Sequence, residues 1–119
     1  MAEIVWTSLA FSQVEALPAA VAFEIVGRVD VLETFPEMGA PVASDDAGLR
    51  KCRQLIVKRT YRVVYEYDET EGKVYVFAVQ HCRQRLPAGR DLKRRQEPAR
   101  FRNSMRMRDS AADAGSNRE

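Results

Sequence analysis

Between Tyr61 and Leu86 the chain reads YRVVYEYDETEGKVYVFAVQHCRQRL, and this stretch constrains the fold more than any other. Tyr61–Tyr67 and Lys73–Cys82 are rich in Val, Tyr and Phe, whose branched or planar side chains suit a pleated surface. The polar segment Asp68-Glu69-Thr70-Glu71-Gly72 separates the two runs, so together they predict a β-hairpin. A basic exit, His81-Cys82-Arg83-Gln84-Arg85, follows and runs into Leu86-Pro87. An apolar hairpin thus delivers cations to one end of a sheet, and the other elements must pack around it.

Upstream, Glu3–Trp6 (EIVW) is short, apolar and β-branched, which predicts a first strand. Thr7 or Ser8 can cap a helix, whose first N–H groups otherwise lack partners. Leu9, Val14 and Leu17 give that helix an apolar side, and Pro18 closes it or opens the next one. A second helix is expected over about Pro18–Phe35. Val21, Ile25, Val29, Leu32 and Phe35 recur there at three- and four-residue steps, with Glu24, Arg28 and Glu33 off the stripe. Pro36–Pro41 breaks it, and Ala43–Gly48 continues as a polar loop. Leu49–Val57 predicts a strand with Arg50, Lys51 and Arg53 near its start, and Lys58-Arg59-Thr60 turns tightly into Tyr61. After Pro87, a short helix is expected over Ala88–Gln96. From Pro98 the sequence loses period and apolar density, so residues 1–97 are expected to form one domain and 98–119 a flexible basic tail. The fold class is α+β: an N-terminal strand, a two-helix hairpin packed on an antiparallel β-meander, and a short C-terminal helix.

A length of 119 residues allows a single modest core. No apolar run reaches the roughly 20 residues of a membrane-spanning helix, and nothing at the N-terminus reads as a secretory signal. A cytoplasmic location with no membrane partner is expected. Cys52, Cys82 and the single His81 are too few for a disulfide framework or a zinc site, so neither metal nor cofactor is expected. Net charge is only +2, but it is unevenly distributed. Residues 1–82 carry 8 Lys/Arg against 12 Asp/Glu, residues 83–108 carry 10 against 2, and residues 109–119 carry 1 against 3. Such a basic arm fits either an acidic partner or a solvated Arg-rich helix face, and charge alone does not separate them.

With this element order and the YRVVYEYD…VYVFAVQHCRQRLP stretch together, the chain resembles the RelE/ParE superfamily of toxins from bacterial type II toxin–antitoxin operons, over about Ile4 to Pro87. The signature is an aromatic-Arg-Val-Val-Tyr strand, an acidic turn, an apolar strand and a His/Arg-rich exit. The resemblance implies a small RelE/ParE-like fold and a growth-inhibiting toxin held inactive by a cognate antitoxin whose C-terminal segment wraps it. Two mechanisms compete within the superfamily. RelE-like members cut mRNA in the ribosomal A site, whereas ParE-like members poison DNA gyrase through protein contact without hydrolytic chemistry.

The nuclease must activate a 2′-hydroxyl, stabilise a pentavalent phosphorane and protonate the leaving oxygen, which calls for cations beside a proton carrier. Arg53 and Arg62 are candidate phosphate clamps, His81 a candidate acid or base, and Arg83 lies nearby; the planar fork of Arg suits phosphate. Strand register decides whether they converge. If Arg62 lies opposite His81, both project on one face; a slip of one residue moves His81 to the side of Tyr61 and Tyr65. Residue by residue, the match to the nuclease pattern is incomplete. RelE-like toxins usually carry a late aromatic, yet the last Tyr here is Tyr75 and only Phe101 follows. By spacing from Arg62, the family's second arginine falls on or next to Cys82, and the second-strand lysines are half present, as Arg53 with Leu55. His81, Arg83 and Leu86-Pro87 look more like the ParE-type ending. The favoured expectation is therefore a non-enzymatic gyrase poison with Lys51, Arg53, Arg62, His81, Arg83, Arg85 and Arg90 as partner- or target-binding residues. The runner-up is a ribosome-dependent mRNA endoribonuclease using Arg53, Arg62, His81 and Arg83. A third reading is a non-toxic module that binds nucleic acid through the arm Arg90–Arg108 by counterion release, although the arm lacks interleaved aromatics.

Overall fold

In the computed structural model, residues 1–94 are described, the last three by backbone alone. Strands β1 (Glu3–Trp6), β2 (Ala40–Pro41), β3 (Cys52–Val57), β4 (Tyr61–Asp68) and β5 (Lys73–His81) form one five-stranded sheet in the order β1-β5-β4-β3-β2. Strands β2 to β5 pair antiparallel, and β1 joins β5 in parallel. Helices α1 (Ser8–Glu15) and α2 (Ala19–Asp30) cover one face, and the short α3 (Gly89–Arg94) follows the exit from β5. The hairpin, first strand, helix pair and meander stand where the residue pattern put them. The tail expected over 98–119, the end of the helix expected to reach Gln96, and Phe101 lie outside the described residues.

Two clusters make the core, one on each face of the sheet. Ala10 and Val14 of α1 and Ile25 and Val29 of α2 meet Leu55, Val57, Val63, Tyr65, Val74 and Val76. On the far face Val42, Leu49, Cys52, Val64, Phe77 and Ala78 form a smaller cluster, with Leu86 from the exit packed against it. Phe77 and Ala78 are consecutive yet share a face because β5 carries a bulge: Tyr65 pairs with Val76 while Val64 pairs with Ala78. Where β1 ends, side chains of the first helix take over its edge. The fully buried Thr7 accepts from Ala10 N through Oγ1 (3.4 Å), capping α1, and donates to Val76 O at 2.7 Å. Gln13 Oε1 accepts from Val79 N at 2.7 Å just past the bulge.

Three segments depart from the expected bounds. Regular helix ends at Asp30, not Phe35, and tightens into a 3₁₀ turn over Val31–Glu33 ahead of Pro36. Three residues per turn rotate the apolar stripe, so Leu32 stays buried while Phe35 is 59% exposed. Strand β3 begins at Cys52, because Ala47–Leu49 forms a second 3₁₀ turn capped by Asp46 Oδ1 on Gly48 N (2.8 Å). Residues Ala40–Pro41, read as loop, pair with Gln54 and Arg53, and a proline is tolerated on that outermost strand.

Side chains tie the remaining loops to the sheet. Tyr65 is fully buried, and its hydroxyl accepts from Gly39 N at 2.8 Å. Arg53 Nη1 donates to Gly39 O at 2.7 Å and Glu37 O at 3.2 Å. Asp46 accepts from Gly48 N and Gly89 N, both at 2.8 Å, joining the 42–49 loop to the start of α3. The two glycines touch: a Cβ on Gly48 would lie 2.7 Å from Gly89 Cα, so neither position admits a side chain without displacing the other strand of chain. Between β3 and β4, Lys58 (φ 55°) and Arg59 (φ 60°) are both left-handed, and Thr60 N closes the turn on Val57 O at 3.1 Å. Asn-Gly normally fills such a pair of positions; long side chains there cost about 1–2 kcal/mol each.

Two outcomes follow from these ties. Tyr65→Phe strands the Gly39 N–H in a buried setting and should lower stability by about 1–3 kcal/mol, read by urea unfolding. The hydrogen bonds from Gly89 and Gly48, with Arg90 nearby, hold the Asp46 carboxyl below its ordinary 3.8, against a small opposing effect of burial. The stabilisation is therefore complete above about 3.8 and is lost as pH falls through the lowered folded-state value. Melting curves across that acid range should show an acid-dependent component in the native chain that Asp46→Ala lacks.

Candidate functional site

The β4–β5 register assigns the predicted residues to faces. Tyr61 stands opposite His81 and Arg62 opposite Gln80. His81 therefore projects on the helix-covered face with Tyr61, their rings edge-on with centroids 5.9 Å apart. Arg62 projects on the other face, beside Gln54 across β3. Of the two registers the sequence left open, the one that separates Arg62 from His81 is present.

The Arg62 guanidinium is occupied by main-chain oxygens. Its Nη2 donates to Gln84 O at 2.6 Å and to Cys82 O at 3.1 Å, and Nη1 reaches Gln54 Oε1 at 3.4 Å. Gln80, only 7% exposed, donates from Nε2 to Arg85 O at 3.3 Å. The remaining Nε of Arg62 and Oε1 of Gln80 are buried without a partner among the described residues. The exit also holds itself. Gln84 N donates to His81 O, and His81 N donates to Gln84 Oε1, both at 2.9 Å. Arg83 N donates to His81 Nδ1 at 3.0 Å, which in the neutral ring leaves the proton on Nε2. Cys82 N donates to Thr60 O at 2.8 Å, fastening the exit to the β3–β4 turn. This tight loop presents Arg83, Gln84 and Arg85 to solvent, and two of the three are cations.

The other predicted cations lie elsewhere. Arg53 stands opposite Tyr65, four residues along β4 from Tyr61 and so about 13 Å away along the strand. It shares the helix-covered face with Leu55 and Val57, and its guanidinium is committed to the 37–39 loop. Exposed Lys51 lines, with Arg50, Arg53, Glu37 and Glu69, a shallow cavity of about 280 Å³ at that distant end. Arg90 is exposed beside Asp46. Arg62, His81, Arg83 and Arg85 thus gather at one end of the sheet, while Lys51, Arg53 and Arg90 do not join them. Lys58 and Arg59 were absent from the predicted set yet stand at the basic end. Their recognition as a turn immediately before Tyr61 was the available signal, since Tyr61 pairs with His81.

The hairpin turn at the opposite end is acidic. Asp68, Glu69 and Glu71 crowd the hairpin turn, and Tyr75 Oη donates to Glu71 Oε1 at 2.7 Å. That hydrogen bond to a carboxylate, with lesser desolvation and the charge of nearby Asp68 and Glu3, pushes the Tyr75 hydroxyl up to about 12.

This geometry can be compared with known proteins. Solved structures share the fold, three of them as follows. The RelBE2 toxin–antitoxin complex of Mycobacterium tuberculosis matches with TM-score 0.57 at 21% identity, over 67% of this chain and 96% of that one. The intact Escherichia coli RelBE complex matches with TM-score 0.58 at 15% identity, over 71% and 100%. The isolated Escherichia coli RelE toxin matches with TM-score 0.57 at 16% identity, over 79% and 98%. At these identities the likeness is one of fold. No curated protein matches significantly in sequence. The profile of the ParE toxins of type II toxin–antitoxin systems (parDE) matches residues 4–86, most of the described chain. The chain belongs to that ParE toxin family, within the RelE/ParE superfamily of type II toxins.

Proposed function

We propose that this toxin acts by contact, poisoning DNA gyrase, and that a cognate antitoxin restrains it until released. The observation that carries the reading is the division of Arg62 and His81 between opposite faces, with the Arg62 guanidinium engaged by Cys82 O and Gln84 O. Phosphodiester cleavage needs a proton carrier and phosphate clamps on one reacting group, within hydrogen-bond reach. A contact poison needs only a rigid, charged surface, and Arg83 and Arg85 on a multiply fastened loop supply one. Arg62 then has a positioning role: it holds the exit loop so that the two neighbouring arginines face outward.

Support for an antitoxin comes from the RelBE complexes among the structures sharing this fold and from exposed apolar side chains. Phe23 and Val26 on α2, then Val31, Phe35 and Met38 beyond it, leave apolar surface exposed. Such a patch on a small chain marks a partner site, and an amphipathic segment laid along α2 would cover it. Gyrase and the ribosome are both cytoplasmic, and no described helix is long and apolar enough to cross a membrane.

The test uses purified toxin freed of its antitoxin in two assays: gyrase supercoiling with trapping of cleaved DNA, and mRNA cleavage on programmed ribosomes. Gyrase inhibition with intact mRNA is expected; cuts within codons would overturn the mechanism. Arg83→Ala combined with Arg85→Ala should weaken gyrase inhibition tenfold or more, the scale on which interface arginines act, with melting unchanged. Arg62→Lys should retain part of the inhibition and Arg62→Ala less, because an ammonium replaces some of the hydrogen bonds to the exit carbonyls.

A further inference from the structure

We propose that the strained Lys58-Arg59 turn, together with Arg83 and the exposed Phe23, is the surface by which the toxin grips an acidic, partly apolar segment of its protein target. The inference rests on the contact-poison reading above and adds a place on the molecule for that contact.

Both central residues of the β3–β4 turn are left-handed. Nothing in the fold requires Lys and Arg there, since Asn-Gly meets the same backbone with less strain. The only partner of the Lys58 side chain among the described residues is Glu24 on α2, at 3.1 Å, and both side chains are nearly half exposed. An ion pair so open to water contributes little to stability. The side chains of Arg59, Arg83 and Arg85 make no hydrogen bond or ion pair with another described residue. The turn and the exit are nonetheless one unit, because Cys82 N donates to Thr60 O. Arg59 and Arg83 are each chain neighbours of that hydrogen-bonded pair. Strain retained where the fold gains nothing from it points to use of the side chains.

The surroundings favour a protein partner over a nucleic acid. Glu24 sits within the patch, paired with Lys58. Phe23, next to Glu24 on α2, is 82% exposed. Arginine beside an exposed aromatic side chain is a composition enriched at protein interfaces. Cations beside such an apolar group fit a segment bearing carboxylates and at least one apolar side chain.

The experiment compares the full-length toxin with two double variants. In Lys58→Asn/Arg59→Gly the strain and the charge both go; in Lys58→Gln/Arg59→Gln the charge goes and the strain stays. The first should melt higher by roughly 10 °C and inhibit gyrase at least tenfold less. The second should melt as the native chain does and lose inhibition equally. Both should fail to arrest growth on expression. If the native toxin inhibits gyrase and either variant matches it, the surface is wrong while the function stands. If the native toxin arrests growth without touching gyrase, the function is wrong, and growth arrest by the variants decides the surface: retained arrest overturns it, lost arrest supports it with another protein target. Labelled single-stranded RNA and duplex DNA serve as nucleic-acid probes, and loss of their binding in the variants would overturn the protein assignment.

Discussion

The extra residue in β5 determines what the basic end of this molecule can do. Tyr65 pairs with Val76, and unbroken pairing from there would set Thr60 opposite His81, on the face that Arg62 occupies. Inserting Phe77 moves every later residue of β5 by one position. Val79 then joins the helix-covered core, Gln80 turns to Arg62, and His81 stacks edge-on against Tyr61. The bulge is held from both sides. Phe77 and Ala78 fill the smaller core, and Gln13 of α1 satisfies the Val79 N–H. Removing the bulge would displace two packed clusters together, which is why a single-residue irregularity can be maintained against the regular ladder.

The same chain uses charged groups as fasteners for backbone. Arg53 secures the 37–39 loop, Arg62 the 82–84 exit, and Asp46 the approach of residues 48 and 89. Each loop is short, irregular and rich in main-chain groups that the sheet does not pair, so each needs donors or acceptors from elsewhere. Arginine suits this use because several N–H groups project in one plane and can meet more than one carbonyl. A guanidinium spent in this way is less available to a phosphate. Residue type therefore says where cations are, while only the hydrogen bonds say which of them face a partner.

That distinction explains what the sequence disclosed. Patterns set by a single element were readable: the alternation in Tyr61–Tyr67, a cap at Thr7 or Ser8 (Thr7 in the structure), and the stripe of Ile25, Val29 and Leu32. Features set by two distant segments were not. The parallel placement of β1 beside β5 leaves no local signature, and two-residue β2 contains a proline that argues against a strand. Phe35 fits the helical stripe by spacing but leaves the core because the chain tightens ahead of Pro36. For the site, the gathering of Arg62, His81, Arg83 and Arg85 followed from the hairpin itself. The face of His81 did not, since the acidic turn permits either register and the bulge lies in a run, Val76-Phe77-Ala78-Val79, that is apolar throughout. Lys58 and Arg59 were legible as a turn, but their left-handed backbone was not, because neither residue type favours it.

The hairpin tip is charged opposite to the basic end of the sheet. Asp68, Glu69 and Glu71 crowd the β4–β5 turn, whereas Lys58, Arg59, His81, Arg83 and Arg85 stand where β4 begins, seven residues or about 23 Å away. At this tip Tyr75 donates to Glu71, and that hydrogen bond is the main cause that pushes its hydroxyl up to about 12. At physiological ionic strength fields of this kind fade within about 8 Å, so the two ends act independently on anything that touches the surface. An acidic segment meets attraction at the turn and the exit and repulsion at the hairpin tip, which restricts both where it docks and how it is oriented. Orientation of this sort needs no bound substrate and no titrating base. It requires only that the cations be fixed in place, and the hydrogen bonds from Arg62 to the exit carbonyls and from Cys82 to Thr60 provide that fixation.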